Sequence, residues 1–263
     1  MLCYIFAALS ALSSIVLVLA TQINWLWLLP IFVGAFLAIN FLFVVGLFIS
    51  SLLLPKPNPE EKPRDFSRIT QLVCEWIMNL LRIKVEFRGM EKFPDEPFVL
   101  VSNHLSNFDP VVVLSKVKGR KIAFISKPSN FKIPIAGPYL RLAGFLAIDR
   151  ENAMRAMRTI KRAAELVVSE QMIMGIYPEG TRNKSGEGLL EFKEGAFLLA
   201  KRANAPVVVI ATKGTHNLGK SMIIKSTKVE LEVIEVIDKE TIKDMKLNEI
   251  SAHVRESIAN ALQ

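Results

Sequence analysis

The first 55 residues contain no Asp, Glu, Lys or Arg, and that blank constrains the chain more than any other feature in it. The whole +8 net charge lies in residues 56–263. A mean hydropathy of +0.33 beside a pI near 9.5 therefore describes no uniform domain. It is the sum of an apolar appendage and a basic unit long enough to enclose its own core. Leu2 to Ala20 approaches the length that crosses a bilayer. Thr21-Gln22-Ile23-Asn24 interrupts it, Trp25-Leu26-Trp27 suits an interfacial aromatic belt, and a second apolar run ends at Leu54. The second run exceeds one span, so it must tilt or bend, and Pro30 offers a bend. A cleaved leader is the rival for residues 1–20. It is disfavoured, because no Lys or Arg precedes the apolar run and the small-x-small cleavage pattern is poor. The expectation is a two-helix membrane hairpin over 1–55, followed by one domain over 56–263. Lys56, Lys62, Arg64 and Arg68 crowd the exit, while the hairpin turn carries no charge, which places the domain on the cytoplasmic face of the cell membrane.

Four prolines among residues 55–63 make a linker that cannot be helical. Phe66 to Leu81 has a helical apolar stripe, suited either to packing on a sheet or to lying on the bilayer; core packing is the expectation. Strands are then expected at Lys84–Arg88, Phe98–Val101, Ile122–Ile125, Phe145–Ile148, Met172–Ile176 and Val207–Thr212, with Val229–Ile237 towards an edge. Helices are expected over Asn152–Glu170, from about Lys193 to Ala203 and over Glu240–Leu262, with a broken one across Ile133–Ala143. Strands that mostly alternate with helices argue an α/β fold, a layered mixed sheet with flanking helices. The two cysteines, Cys3 and Cys74, make neither a disulfide framework nor a metal spacing, which suits a reducing compartment.

The first stretch with chemical content is Val99 to Pro110. An apolar strand ends at Ser102-Asn103, His104 follows, and Asp109-Pro110 reads as a helix start with Asp as N-cap. Residues five apart on one helix point about 140° away from each other. His104 and Asp109 can meet only if Leu105-Ser106-Asn107 turns. A carboxylate that reaches an imidazole fixes its tautomer and stabilises the imidazolium, which suits a general base. The second stretch, Tyr177-Pro178-Glu179-Gly180-Thr181-Arg182, also leaves a buried strand, where open α/β sheets bind ligands. Gly180 permits close backbone approach. Arg182 offers a planar fork that matches a phosphate, and Glu179 can hold that Arg or another cation. Asp149-Arg150 follows a third strand. From these residues alone the plain alternatives stand: a capping Asp beside a loop His, and a tight turn bearing a surface Arg–Glu pair. A base, phosphate-binding cations and a membrane hairpin together suggest a phosphate-bearing lipid substrate.

The sequence also resembles the glycerolipid acyltransferases. Asn103-His-Leu-Ser-Asn-Phe-Asp109 is similar to that family's first block, Gly144-Phe-Leu-Ala-Ile-Asp-Arg150 to its second, Tyr177-Pro-Glu-Gly-Thr-Arg182 to its third and Ala205-Pro-Val-Val-Val-Ile210 to its fourth. The blocks occur in the family's order, and the branch most resembled is the bacterial 1-acyl-sn-glycerol-3-phosphate acyltransferases. Tyr177 stands where Phe is usual, and Asn183 where Ser is common. The resemblance implies that His104 takes the proton from the sn-2 hydroxyl of a lysophosphatidate and that Asp109 orients the imidazole. The alkoxide then attacks an acyl thioester of coenzyme A or acyl carrier protein. Arg182 with Gly180, Thr181 and Glu179 would form the phosphate side of the acceptor site, with Arg150 and Lys127 as further contributors. Neither a metal nor a cofactor is implied beyond the thioester co-substrate.

Other readings remain on the same residues. The acceptor can be another lysophospholipid or an amino-lipid. A metal-dependent phosphoesterase would use His104, Asp109 and Glu179, but such sites usually draw on several His and Asp ligands, and the chain has three His in all. A non-catalytic membrane or nucleic-acid binder is allowed by the charge, although no RNA-binding aromatic signature is present and no nucleic-acid partner is expected.

Overall fold

A computed structural model describes residues 1–55, 61–183, 188–218 and 226–263. Lys56, the middle of the proline linker and the polar loop after Asn183 lie outside the described residues.

The apolar segment forms helices α1 (Leu2–Thr21) and α2 (Leu28–Leu53), which pack against each other. Both are long and apolar enough to cross a membrane. Gln22, left-handed at φ 51°, ends α1, and the Asn24 side chain accepts the Leu26 N–H at 3.0 Å to cap the short turn before α2. Pro30 makes no bend: it sits in the first turn of an unbroken α2, where a missing N–H costs nothing.

The rest is a seven-stranded mixed sheet. Its strands are β1 (Ile83–Arg88), β2 (Val99–Ser102), β3 (Ile122–Ser126), β4 (Leu146–Ala147), β5 (Ile173–Ile176), β6 (Val207–Lys213) and β7 (Thr227–Ile237), in the order β1-β7-β6-β2-β5-β3-β4. β6, β2, β5, β3 and β4 run parallel, and β7 with β1 runs against them. The five parallel strands therefore end along one edge. β1 takes the sheet edge, and β7 lies one place inside it. The central strands β2, β5 and β6 are buried almost throughout, which explains their continuous apolar runs.

Helices cover both faces. The crossover through α4 (Asp109–Lys116) moves one way along the sheet, and those through α6 (Ala153–Ser169) and α7 (Gly195–Ala203) move back. Right-handed crossovers put α4 on one face and α6 and α7 on the other. α3 (Ser67–Leu80) packs with α4, α5 (Ala136–Leu142) packs on the short turn before it, and α6 packs with α7. The expected closing helix is two, α8 (Lys239–Asp244) and α9 (Leu247–Leu262). Asp238 caps the first, accepting the Thr241 N–H at 2.7 Å, and the Lys246 N–H donates to the Glu249 carboxylate at 2.9 Å to start the second.

α3 packs on the core, as expected, and its other side meets the hairpin. Cys74 and Met78 face the core, and Trp76 turns to the hairpin, where its Nε1–H donates to Asn40 Oδ1 at 2.8 Å. Ser50 and Tyr139 share a hydrogen bond at 2.6 Å between α2 and α5. The hairpin is thus pinned to the sheet domain by side chains as well as joined to it by a linker.

Candidate active site

β2 delivers Asn103 and His104 to the edge where the parallel strands end. Asn103 is fully buried and pairs with the Thr212 backbone of β6, donating to its carbonyl at 3.0 Å and accepting its N–H at 2.8 Å. This fixes the point at which the chain leaves the sheet. The next residues turn, as the five-residue spacing required, and Asp109 folds back. Its Oδ2 lies 2.7 Å from His104 Nδ1 and accepts the N–H groups of Leu105 at 2.8 Å and Ser106 at 2.9 Å. Asp109 is 1% exposed and His104 15% by side chain. Asp109 is not the N-cap expected: Phe108 holds that place, and Asp109 is the first helical residue. Its carboxylate serves the turn behind it rather than the helix ahead.

Tyr177 follows β5 and lays its ring on the imidazole, with centroids 4.3 Å apart and planes 17° from parallel. Phe124 of β3 also stacks on Tyr177, with centroids 5.7 Å apart and planes 10° from parallel. Gly175 makes this column possible, since it faces Phe124 in the register and a Cβ there would lie 2.2 Å from the Phe124 ring. The Tyr177 hydroxyl is buried without a partner among the described residues, and burial with the nearby Asp109 charge pushes its pKa well up.

Tyr177 to Gly180 is a tight turn closed by the Gly180 N–H on the Tyr177 carbonyl at 3.0 Å, with Pro178 second. Gly180 has φ +67°, and a Cβ on it would press on the Lys193 side chain at 3.2 Å. Glu179 is 3% exposed and does not hold Arg182. Its Oε1 accepts the His104 N–H at 2.6 Å and its Oε2 the Leu190 N–H at 3.1 Å. Burial raises its pKa, against the pull of these two amides. The Asn183 N–H in turn donates to the His104 carbonyl at 2.7 Å.

A cavity of about 490 Å³ opens along this edge. His104, Lys127, Arg150, Gly180, Thr181 and Arg182 all line it, so six of the eight residues singled out in the sequence converge on one space. Asp109 and Glu179 stand behind the wall. Lys127, Arg150, Thr181 and Arg182 are exposed, and among the described residues Arg182 makes no ion pair. Arg150 is partly desolvated, which lowers its pKa, but a guanidinium stays charged. Lys193 also lines the cavity and escaped the sequence reading. It stands at the mouth of α7, brought there by its own N–H bond to the Pro178 carbonyl at 2.9 Å. Part of the remaining wall is apolar, with Ile125, Ile148, Met157, Ile160 and Leu198, and part is polar, with Asn107, Ser126, Ser129 and Asn130. His216 and His253 lie elsewhere, the latter paired with Glu235 at 2.8 Å on the surface. The arrangement offers an oriented base, several cations and an apolar wall in one cavity.

The family model described as Acyltransferase matches residues 84–213. The 1-acyl-sn-glycerol-3-phosphate acyltransferase alpha of Bos taurus is 30% identical over 215 residues, covering 81% of this chain and 74% of that protein. The 1-acyl-sn-glycerol-3-phosphate acyltransferase of Haemophilus influenzae is 30% identical over 183 residues, covering 66% of this chain and 75% of that one. Among solved structures, the 1-acyl-sn-glycerophosphate acyltransferase PlsC of Thermotoga maritima superposes with a TM-score of 0.61 over 84% of this chain and 87% of that one, at 24% identity, which shows a shared fold.

Proposed function

The chain belongs to the 1-acyl-sn-glycerol-3-phosphate acyltransferase family, and from that premise we propose that it moves a fatty acyl group from an acyl thioester to the sn-2 hydroxyl of 1-acyl-glycerol-3-phosphate, making phosphatidic acid. The observation that carries this reading is the 2.7 Å contact between His104 Nδ1 and Asp109 on a residue that lines the cavity beside Arg182. With Nδ1 engaged, Nε2 is the free nitrogen of the ring. In this mechanism Nε2 takes the hydroxyl proton, and the acceptor oxygen bonds to the thioester carbonyl carbon. The tetrahedral intermediate then expels sulfur, and the imidazolium returns its proton to the thiolate. The acceptor is itself the nucleophile, so no acyl-enzyme forms. Asp109 stabilises the imidazolium while it exists. The Leu105 and Ser106 amides are already taken up by Asp109, so the oxyanion draws its donors from other groups on the cavity wall.

Arg182 is the principal ligand for the acceptor phosphate, with Gly180 and Thr181 beside it and Lys127, Arg150 and Lys193 completing a cationic rim. The apolar wall suits acyl chain. The donor is coenzyme A or acyl carrier protein as its acyl thioester. The hairpin anchors the enzyme in the cell membrane, and Lys62, Arg64 and Arg68 beside its exit favour a cytoplasmic catalytic domain. Purified protein supplied with labelled 1-acyl-glycerol-3-phosphate and each donor tests the reading. Labelled phosphatidic acid with at least one donor is the expected product; no acylation with either donor would refute it.

A further inference from the structure

Besides Asp109 at Nδ1, three contacts hold the main chain and ring of His104, and these three come from residues 177–183. The Glu179 carboxylate receives its N–H at 2.6 Å, the Asn183 N–H meets its carbonyl at 2.7 Å, and the Tyr177 ring covers its imidazole at 4.3 Å. We propose that Glu179 is a positioning residue for His104, acting through the main-chain N–H and sharing that work with the Tyr177 ring, and that it is not a ligand of the acceptor. This rests on the acyl-transfer reading, in which His104 is the base.

The alternative, a carboxylate that reaches substrate or Arg182, conflicts with three observations. Glu179 is 3% exposed and absent from the cavity lining. Each of its oxygens already serves a backbone amide, one on the His104 loop and one at Leu190. Swinging outward would leave both amides without their acceptor in a protein interior, which is costly. A carboxylate among phosphate-binding cations would also compete with the phosphate for them. Held where it is, Glu179 ties the turn after β5 to the loop after β2. The register of those loops sets where Nε2 points. Asp109 fixes the tautomer and tilt of the ring, and Glu179 fixes the backbone from which the ring hangs. Misplacing a catalytic group by about 1 Å can cost about 100-fold in rate.

The test uses the full-length chain in detergent micelles, with wild type, His104→Ala, Glu179→Ala and Glu179→Gln, and with lysophosphatidate as acceptor. Glu179→Ala is expected to lower kcat about 100-fold while KM for lysophosphatidate stays within about twofold. Glu179→Gln keeps an oxygen for the His104 N–H but loses the second acceptor, so it should recover about tenfold of that loss at unchanged KM. A tenfold rise in KM with kcat retained, in either variant, overturns the proposal, as do unaltered kinetics. If Glu179→Ala does not fold, Glu179→Gln decides alone by the same split. A second readout is independent of turnover. Nitrogen-15 resonances of the three histidines, assigned with His104→Ala, should show the His104 ring displaced in either Glu179 variant; an unmoved His104 signal overturns the proposal. Wild type that does not acylate lysophosphatidate would sink the acceptor reading, and the His104 resonance would still decide the clamp.

Discussion

An imidazole has two nitrogens, and which one is free decides what it can do. In His104 the choice is made by one carboxylate oxygen that also holds two backbone amides, so moving the carboxylate would break three bonds at once. His104→Ala is expected to abolish acyl transfer while the thermal melt stays near that of wild type. Arg182→Ala should raise KM for lysophosphatidate about tenfold or more, given about 1.5–3 kcal/mol for a charge-assisted bond. Tyr177→Phe keeps the stacked ring and removes a buried hydroxyl that has no partner among the described residues, so it should retain turnover and raise stability by roughly 1 kcal/mol in a denaturant titration. Glu179 gives a pH signature. Its folded pKa is raised, so the folded state holds its proton more tightly than the unfolded chain does. Its contribution to stability is therefore greatest below the ordinary carboxylate range and is lost as pH climbs through the raised value. Glu179→Gln should gain in melting temperature relative to wild type as pH rises from about 4 to 7. His104 and Asp109 were legible in sequence because only the turn between them had to be supplied. Glu179 invited a misreading, since its partner is a backbone amide 75 positions away, and backbone amides leave no mark in a sequence. Lys193 left no motif either, for its place depends on how α7 meets the turn at Pro178.

Strands and helices carry these residues, and their small residues matter as much as their large ones. Gly175 sits unremarked inside the expected strand Met172–Ile176. In the sheet it lies opposite Phe124 and admits the ring on which Tyr177, and through it His104, is stacked. Gly175→Ala is expected to force Phe124 aside, cost about 1–3 kcal/mol of stability and lower kcat more than it changes either KM. A calorimetric melt and steady-state rates check it. Periodicity located nearly every strand within a residue or two, because buried parallel strands have unbroken apolar runs. It did not show that α8 and α9 are separate. The break at Met245 and Lys246 is made by a backbone N–H bonding Glu249, inside a pattern that otherwise continues. Periodicity put β7 towards an edge, but β7 lies one place inside it, because β1 pairs with it from the far end of the chain.

At the scale of the whole molecule, the charge-free segment told most in the sequence and its attachment told least. Hydropathy separated residues 1–55 from the rest, yet the Asn40 to Trp76 bond and the Ser50 to Tyr139 bond join polar groups that the apolar runs conceal. Removing residues 1–55 should therefore do two things. It should weaken recovery of the protein with membranes on sedimentation. It should also bare Trp76 and leave its indole N–H without its acceptor, so that the truncated chain melts lower than the full one and self-associates unless detergent is present.

Bolts between anchor and catalytic body do more than prevent wobble. A tether of loose chain would let the reacting edge roam over a range of heights above the lipid, and each substrate molecule would have to be lifted out to meet it. Because α2 is fastened through Trp76 and Tyr139, the membrane anchoring proposed for the hairpin would also set the altitude of the reacting edge, and a lysolipid would need to surface only by that amount.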